Sequence, residues 1–370
     1  MRRAGGAFGC VVALGLAAGA CASGERPEAE TPASPPEARA PEPEPGVVED
    51  DEEELIECEG PPIELAFAWP ETLEASVRSL ELIEIEDSRE EEPAQHAVPT
   101  RHRLEVQPRN DDRLAVRFET DGPGRPRLDG LLVEYGEVRP TLVVSEEGGE
   151  LVAVEGVDAM RAAHDEVRDE QELSDEEASQ VLERLDEDKL LPDMRAWWHM
   201  ALSGWVGRRI GCDEVQTSQA KMPIKTLGAE GVSMELEWRY LGSAPCEEES
   251  GRGGQRCAEL AVVARADPER TLELLEERVK KTAGQQAGSV DVQRAELVRL
   301  VRLRVEPATM ILHGVRAEEH IASAFQLQGE PVAGRRQSDA HVLAFRYGTA
   351  ALQSEDEPGG AGGRESPEVR

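Results

Sequence analysis

The 370-residue chain carries 76 acidic against 41 basic residues, a net charge of −35. That balance argues against DNA, RNA and anionic lipid surfaces as partners, because affinity for phosphate backbones comes from Lys and Arg displacing counterions. Aromatic residues make up only 4%, so a core must be built mainly from Leu, Val and Ala.

At the amino terminus Arg2 and Arg3 precede an uncharged, mostly apolar run over 7–16. About 10 apolar residues fall far short of the ~20 that span a bilayer, so the layout is that of a cleaved secretory signal. The small residues Ala17, Ala18, Gly19 and Ala20 then lead directly into Cys21. This segment resembles the lipobox of bacterial lipoproteins, whose usual form has Leu where this chain has Ala18. The resemblance implies cleavage after residue 20 and lipid attached to Cys21. Ala22 and Ser23 follow in place of the Asp that often retains such proteins in the inner membrane, which favours the outer membrane.

Residues 21–59 read as a tether. The stretch is rich in Pro and Glu, with Glu49 to Glu54 interrupted only by Asp50 and Asp51. Little apolar surface and strong self-repulsion predict an extended, disordered chain, reaching roughly 100 Å at about 3.1 Å per residue. The end, 353–370, has the same character. Between them, 60–352 is long enough for one folded domain.

Removal of the signal and acylation of Cys21 leave Cys58, Cys212, Cys246 and Cys257. In an oxidising compartment an even number suggests two disulfides, for which three pairings exist. Cys246 and Cys257 bracket a charged, Gly-rich loop between apolar runs, where a bridge would staple a hairpin. By elimination Cys58 then joins Cys212.

Short strands are predicted over 63–156. Leu114, Val116 and Phe118 alternate with polar residues, and Arg109 to Asp112 makes a hairpin turn before them. Further strands are expected at 131–135, 142–145 and 151–154. A helical segment follows over about 157–206. Ser174 with Glu177 forms a capping box ahead of Ala178, Val181, Leu182 and Leu185, and Pro192 suits the first turn of the next helix. On that helix Met194, Trp198 and Trp205 fall on one stripe. Val232, Met234, Leu236, Trp238 and Tyr240 then alternate with Ser233, Glu235, Glu237 and Arg239, the plainest strand in the chain. Its partner is expected over 257–265. A helix over about 268–282 turns Leu272, Leu275 and Val279 inward. Leu297, Val301, Leu303 and Val305 alternate again, and strands near Met310, Ile321 and Val342 complete the domain.

The plan is α+β, with a mainly antiparallel, curved sheet. In layout it is similar to the curved-sheet folds of lipoprotein carriers, in which helices lie across the concave side. Trp198, Trp205 and Met194, facing Trp238 and Met234, form the candidate apolar ligand face, with packing of helix on sheet as the alternative.

No catalytic constellation emerges. Ser218 and Lys221 match an S-x-x-K pair, but Pro223 follows at once, and the accompanying Ser-Asp-Asn and Lys-Thr-Gly motifs are missing. His313 and His320 are the nearest histidine pair in the carboxy-terminal part, at neither helical nor strand spacing, and none of the four Cys belongs to a C-x-x-C pair. No metal site, cofactor or nucleic-acid partner is therefore expected. The sequence points to a membrane-anchored binding module for an apolar ligand or a protein, with a structural or assembly component of the envelope as the alternative and an unrecognised enzyme as a second alternative.

Overall fold

A computed structural model describes residues 58–347, apart from 59, 88–93, 121–123, 128–133, 137, 139, 171–172, 225–228, 247–255, 284–289 and 328–329. The expected signal, Cys21, the tether apart from Cys58, the tail and the start of the strand expected at 131–135 lie outside the described residues. The chain divides into two units, Met1–Glu57 and Cys58–Arg370, and every described residue belongs to the second.

The amino-terminal strands are β1 (Ile63–Glu64), β2 (Leu73–Asp87), β3 (Ala94–Arg109), β4 (Arg113–Thr120), β5 (Gly124–Arg127), β6 (Glu134–Gly136), β7 (Thr141–Ser145) and β8 (Leu151–Glu155). Helices α1 (Val157–Ala162), α2 (His164–Glu170), α3 (Asp175–Arg184) and α4 (Glu187–Trp198) follow, the last continuing into a π-helical turn at His199–Ser203. Then come β9 (Arg209–Ile210), β10 (Val215–Ile224), β11 (Ala229–Pro245), β12 (Arg256–Ala266), α5 (Pro268–Ala283), β13 (Val290–Val305), β14 (Leu312–Leu327) and β15 (Glu330–Tyr347).

Eleven strands form one sheet in the order β10-β11-β12-β13-β14-β15-β2-β3-β4-β7-β8. Every pairing within it is antiparallel. The sheet is large and curved, as expected, but strand so outweighs helix that the architecture is mainly β. Two meanders build it, one from β10 to β15 and one from β2 to β8. They are joined where β15 pairs with β2, with Tyr347 opposite Ala75.

Four local expectations change. The strands over 63–156 are not all short, since β2 and β3 span 15 and 16 residues. Charged residues break their apolar pattern, but pairing on both sides satisfies the backbone whatever the side-chain polarity. Pro192 lies inside α4 and not in its first turn. The helix begins earlier because the Asp186 side chain accepts a hydrogen bond from the Asp188 N–H, and exposed Pro192 lacks only the N–H that would have bonded one turn back. In α3, Ala178 is buried while Leu182 is 43% exposed, and the buried Leu185 lies just past the helix end, so the apolar stripe of the helix is narrower than four residues. Met310 is a left-handed turn residue (φ 56°) ahead of β14, not part of a strand.

The hairpin turn between β3 and β4 places Asp111 and Asp112 at φ 66° and 53°. Short polar side chains tolerate that left-handed conformation best among non-glycine residues. Both disulfides are present, Cys58 to Cys212 and Cys246 to Cys257, with Cα separations of 5.4 and 5.0 Å.

An open sheet has two edges, and here both meet the same helix. α4 packs against β8 at one edge and β10 at the other, and the π-helical turn after it reaches β13 in the middle. From α4, Arg195 donates to the carbonyls of Leu151 (2.8 Å) and Val152 (2.7 Å) on edge strand β8. Backbone groups that would otherwise attract another chain are thereby occupied. The segment 65–69 closes the neighbouring corner. Leu65 exchanges backbone hydrogen bonds with Gly207 and Arg208, while Ala66 and Ala68 donate to Pro307 and Thr309.

Where the helical segment turns toward the sheet, there is no room for a side chain at Gly204. A Cβ there would lie 2.4 Å from Trp238 Cη2 and 2.6 Å from the His199 carbonyl oxygen. Gly204→Ala should therefore lower the unfolding free energy by about 1–3 kcal/mol through overpacking, measured by urea denaturation. Gly207→Ala, at a position with open space (φ 76°), separates backbone strain from this clash.

Candidate functional site

The candidate apolar face lies wholly inside the core. Met194, Trp198, Trp205, Met234 and Trp238 are all buried. Trp205 meets Trp238 edge-on at 4.8 Å between ring centres, a favoured aromatic geometry. Four of the indole N–H groups also have a fixed acceptor. Trp198 donates to the Gly149 carbonyl (2.7 Å), Trp205 to Met200 (2.8 Å), Trp238 to Ser218 Oγ (2.8 Å) and Trp69 to Met310 (3.0 Å). The protein's own helix thus fills the seat that the sequence offered to a ligand.

The inner face is not uniformly apolar. Between Leu297 and Val301 the strand period turns Arg299 inward, where it is 2% exposed. Its guanidinium lies 4.9 Å from the ring centre of Trp197, and its Nε donates to Glu319 on the neighbouring strand at 2.7 Å. The cross-strand registers continue this row through Asp339 and Ile83 to His96. A second buried polar group is His102, between Ser79 Oγ (2.9 Å) and Thr120 Oγ1 (3.2 Å). Polar groups are therefore buried on this sheet at two separate places.

Further along the strands the burial pattern changes. In the first part of β2 only Glu74 and Arg78 are exposed and the rest from Leu73 to Ser79 are buried, whereas Leu80 to Ile85 are all half-exposed, as are Ile321 to Gln326 on β14 and Ser338 to Val342 on β15. Register places Ile321, Gln337 and Ile85 side by side. Apolar side chains thus continue along the strands past the region that the helices fill. Sequence periodicity could not reveal this, because the same alternation describes a covered strand and an uncovered one.

The other sequence motifs fall apart in space or are put to structural use. Ser218 and Lys221 sit on β10, where Ser218 accepts from Trp238 and Lys221 is exposed. His313 is buried against Glu306 and Tyr347, while His320 contacts Glu318 and Ser338. His313 instead lies near the Cys246–Cys257 bridge, and one donor atom from each of the three residues falls within 4.8 Å of the others. No spacing rule finds that cluster, because it is assembled from two distant stretches of chain.

No family model matches this chain, and no curated protein matches it. Among solved structures it is similar to one of lipovitellin, described by its lipid–protein interactions, with a TM-score of 0.32 and 12% identity. The likeness covers 75% of this chain and 25% of that one, so the chain spans about a quarter of its length.

His199, in the π-helical turn, packs edge-on to Trp238 at 5.6 Å. Burial holds its pKa below the ordinary histidine value, assisted by the nearby Arg208 cation and opposed by Glu150. The unfolded chain accordingly takes up a proton near pH 6.5 that the folded chain does not. This contribution to stability is complete above about pH 6.5 and diminishes as pH falls below it. Between pH 7.5 and 5.5, wild-type protein should lose more unfolding free energy than His199→Gln, as read from urea titrations at both values.

Proposed function

We propose that this protein is an envelope lipoprotein, anchored through lipid on Cys21 and acting as a non-catalytic binding module for an apolar ligand such as an acyl chain. The observation that carries the reading is the half-exposed apolar stretch on the far parts of β2, β14 and β15, including Ile83, Ile85 and Ile321. The seat lies there, and not at the Trp198 stripe, which is filled. A long tether would let the domain reach well beyond the membrane while the anchor keeps it local. Among the described residues, no helix is long and apolar enough to span a bilayer, so in this reading attachment falls to the lipid. Acyl CH2 groups laid on the exposed stretch would each contribute about 0.8 kcal/mol.

Close packing of the tryptophan stripe also favours a second reading, in which the domain is a structural component of the envelope without a small-molecule ligand. Native mass spectrometry of Cys21→Ser protein, isolated from its host without detergent, separates the two. The binding reading expects co-purifying lipid mass that is lost in Ile83→Asn/Ile321→Asn protein of unchanged far-ultraviolet circular dichroism. A ligand-free mass for the Cys21→Ser protein would overturn that reading in favour of the structural one.

The anchor has its own test. Metabolic labelling with a palmitate analogue should mark the wild type, and Cys21→Ser should abolish both the label and membrane fractionation. Label that survives the substitution would remove the lipoprotein reading while leaving the binding one standing.

A further inference from the structure

The Cys246–Cys257 disulfide does not stand alone at its end of the sheet. Cys257 is the second residue of β12 and His313 the second of β14, and the turn 306–311 leads from β13, which lies between those strands, into β14. Cys246, Cys257 and His313 are each almost completely inaccessible to solvent. One sulfur from each Cys and one ring nitrogen of His313 lie within 4.8 Å of one another. The imidazole is oriented from behind, since its Nε2 is 3.1 Å from Glu306 Oε1. Glu306 is oriented in turn by Thr309, whose hydroxyl donates to Oε2 at 3.1 Å. The ring also packs edge-on to Tyr347 at 5.6 Å, and the Tyr347 hydroxyl is tied to the Leu312 carbonyl at 2.6 Å.

We infer that Cys246, Cys257 and His313 form a redox-gated metal site, closed as a disulfide and able, once reduced, to bind a borderline-soft divalent cation such as zinc. Two thiolates and an imidazole are a donor set that zinc accepts in tetrahedral geometry, with water available for the fourth position. A carboxylate bonded to the far nitrogen of a ligating histidine is the support that such sites use to fix the ring and raise its basicity. Glu306 holds that place at Nε2, which makes Nδ1 the ligand atom.

At about 2.3 Å from the metal, tetrahedral sulfurs sit about 3.8 Å apart. The two sulfurs must therefore separate from their bonded distance, which side-chain rotation provides once the bond is broken. A dithiol supplies the two electrons. It is oxidised to its own disulfide, and its two protons pass to the cysteine sulfurs. Metal binding then releases both protons as the thiols become thiolates. The same three residues hold the strand ends together in either state, by a covalent bond or through the metal.

Cobalt(II) serves as the probe, added to folded Cys21→Ser protein with its disulfides intact or after reduction by a phosphine. Reduced protein should bind one equivalent, with thiolate-to-cobalt charge-transfer absorption that zinc abolishes by displacement. Protein with its disulfides intact should give no such band. Cys257→Ser should remove the absorption, and His313→Ala should weaken cobalt affinity by at least about 10-fold. Glu306→Gln, which preserves shape, should weaken it less, so the assignment does not depend on a variant that fails to fold. Absence of the band in reduced protein would overturn the inference. So would a band unchanged in both the Cys257 and His313 variants, or a disulfide reducible only when the domain unfolds.

Discussion

The constraint on which the rest of this structure depends is that an open sheet of eleven strands must do something with two edges. Left bare, each edge is a row of unpaired backbone groups that recruits other chains. Here the sheet curves until β8 and β10 both pack against α4, and Arg195 occupies carbonyls of β8 directly. The helix that separates the edges also delivers the tryptophans to the sheet. Edge protection and core filling are consequently one event, which explains why Gly204 and the π-helical turn lie between Trp198 and Trp205. The chain must change direction there at the place where two aromatic surfaces leave no space.

Arg299 shows what the filled core costs and gains. A guanidinium taken out of water is strongly destabilising unless paired, and removing one partner of a buried pair typically costs about 3–5 kcal/mol. Trp197 above it and Glu319 beside it supply a ring face and a carboxylate. On the outer side of the same sheet the ion pairs have another character. Glu237 joins Arg239 and Arg265, and Glu259 joins Arg304, with side chains in contact with water. Such exposed pairs contribute little individually.

Much of this was legible in the sequence. Alternation from Val232 to Tyr240 marks β11 because every inward position is apolar. The capping box at Ser174 and the apolar spacing over 268–282 mark helices, and the bracketing of a Gly-rich loop identifies the Cys246–Cys257 bridge. What was not legible shares a physical cause. Arg299 breaks the alternation of β13 because a buried charge is chosen for its partners, Trp197 and Glu319, which come from elsewhere in the chain. Pro192 misplaces the start of α4 because a proline near the start of a helix costs few hydrogen bonds, so the Asp186 cap decides. The tryptophan stripe could be read as pocket or as core, since periodicity gives the direction of a side chain and not what meets it. The neighbours of His313 depend on where β13 ends, which no local pattern specifies.

The seam between β15 and β2 has a consequence for how the molecule comes into being. Those two strands pair along their length, yet among the described elements one is near the first to be synthesised and the other is the last. Until β15 arrives, the amino-terminal meander presents β2 as a long bare edge, and the sheet cannot curl far enough to bring both borders to α4. Contacts so distant in sequence are slow to form, because loop closure must precede any reward. The domain therefore cannot mature piece by piece from its amino terminus. Until the final strand is free, its half-made form carries that edge, which is open to pairing with another copy of the chain.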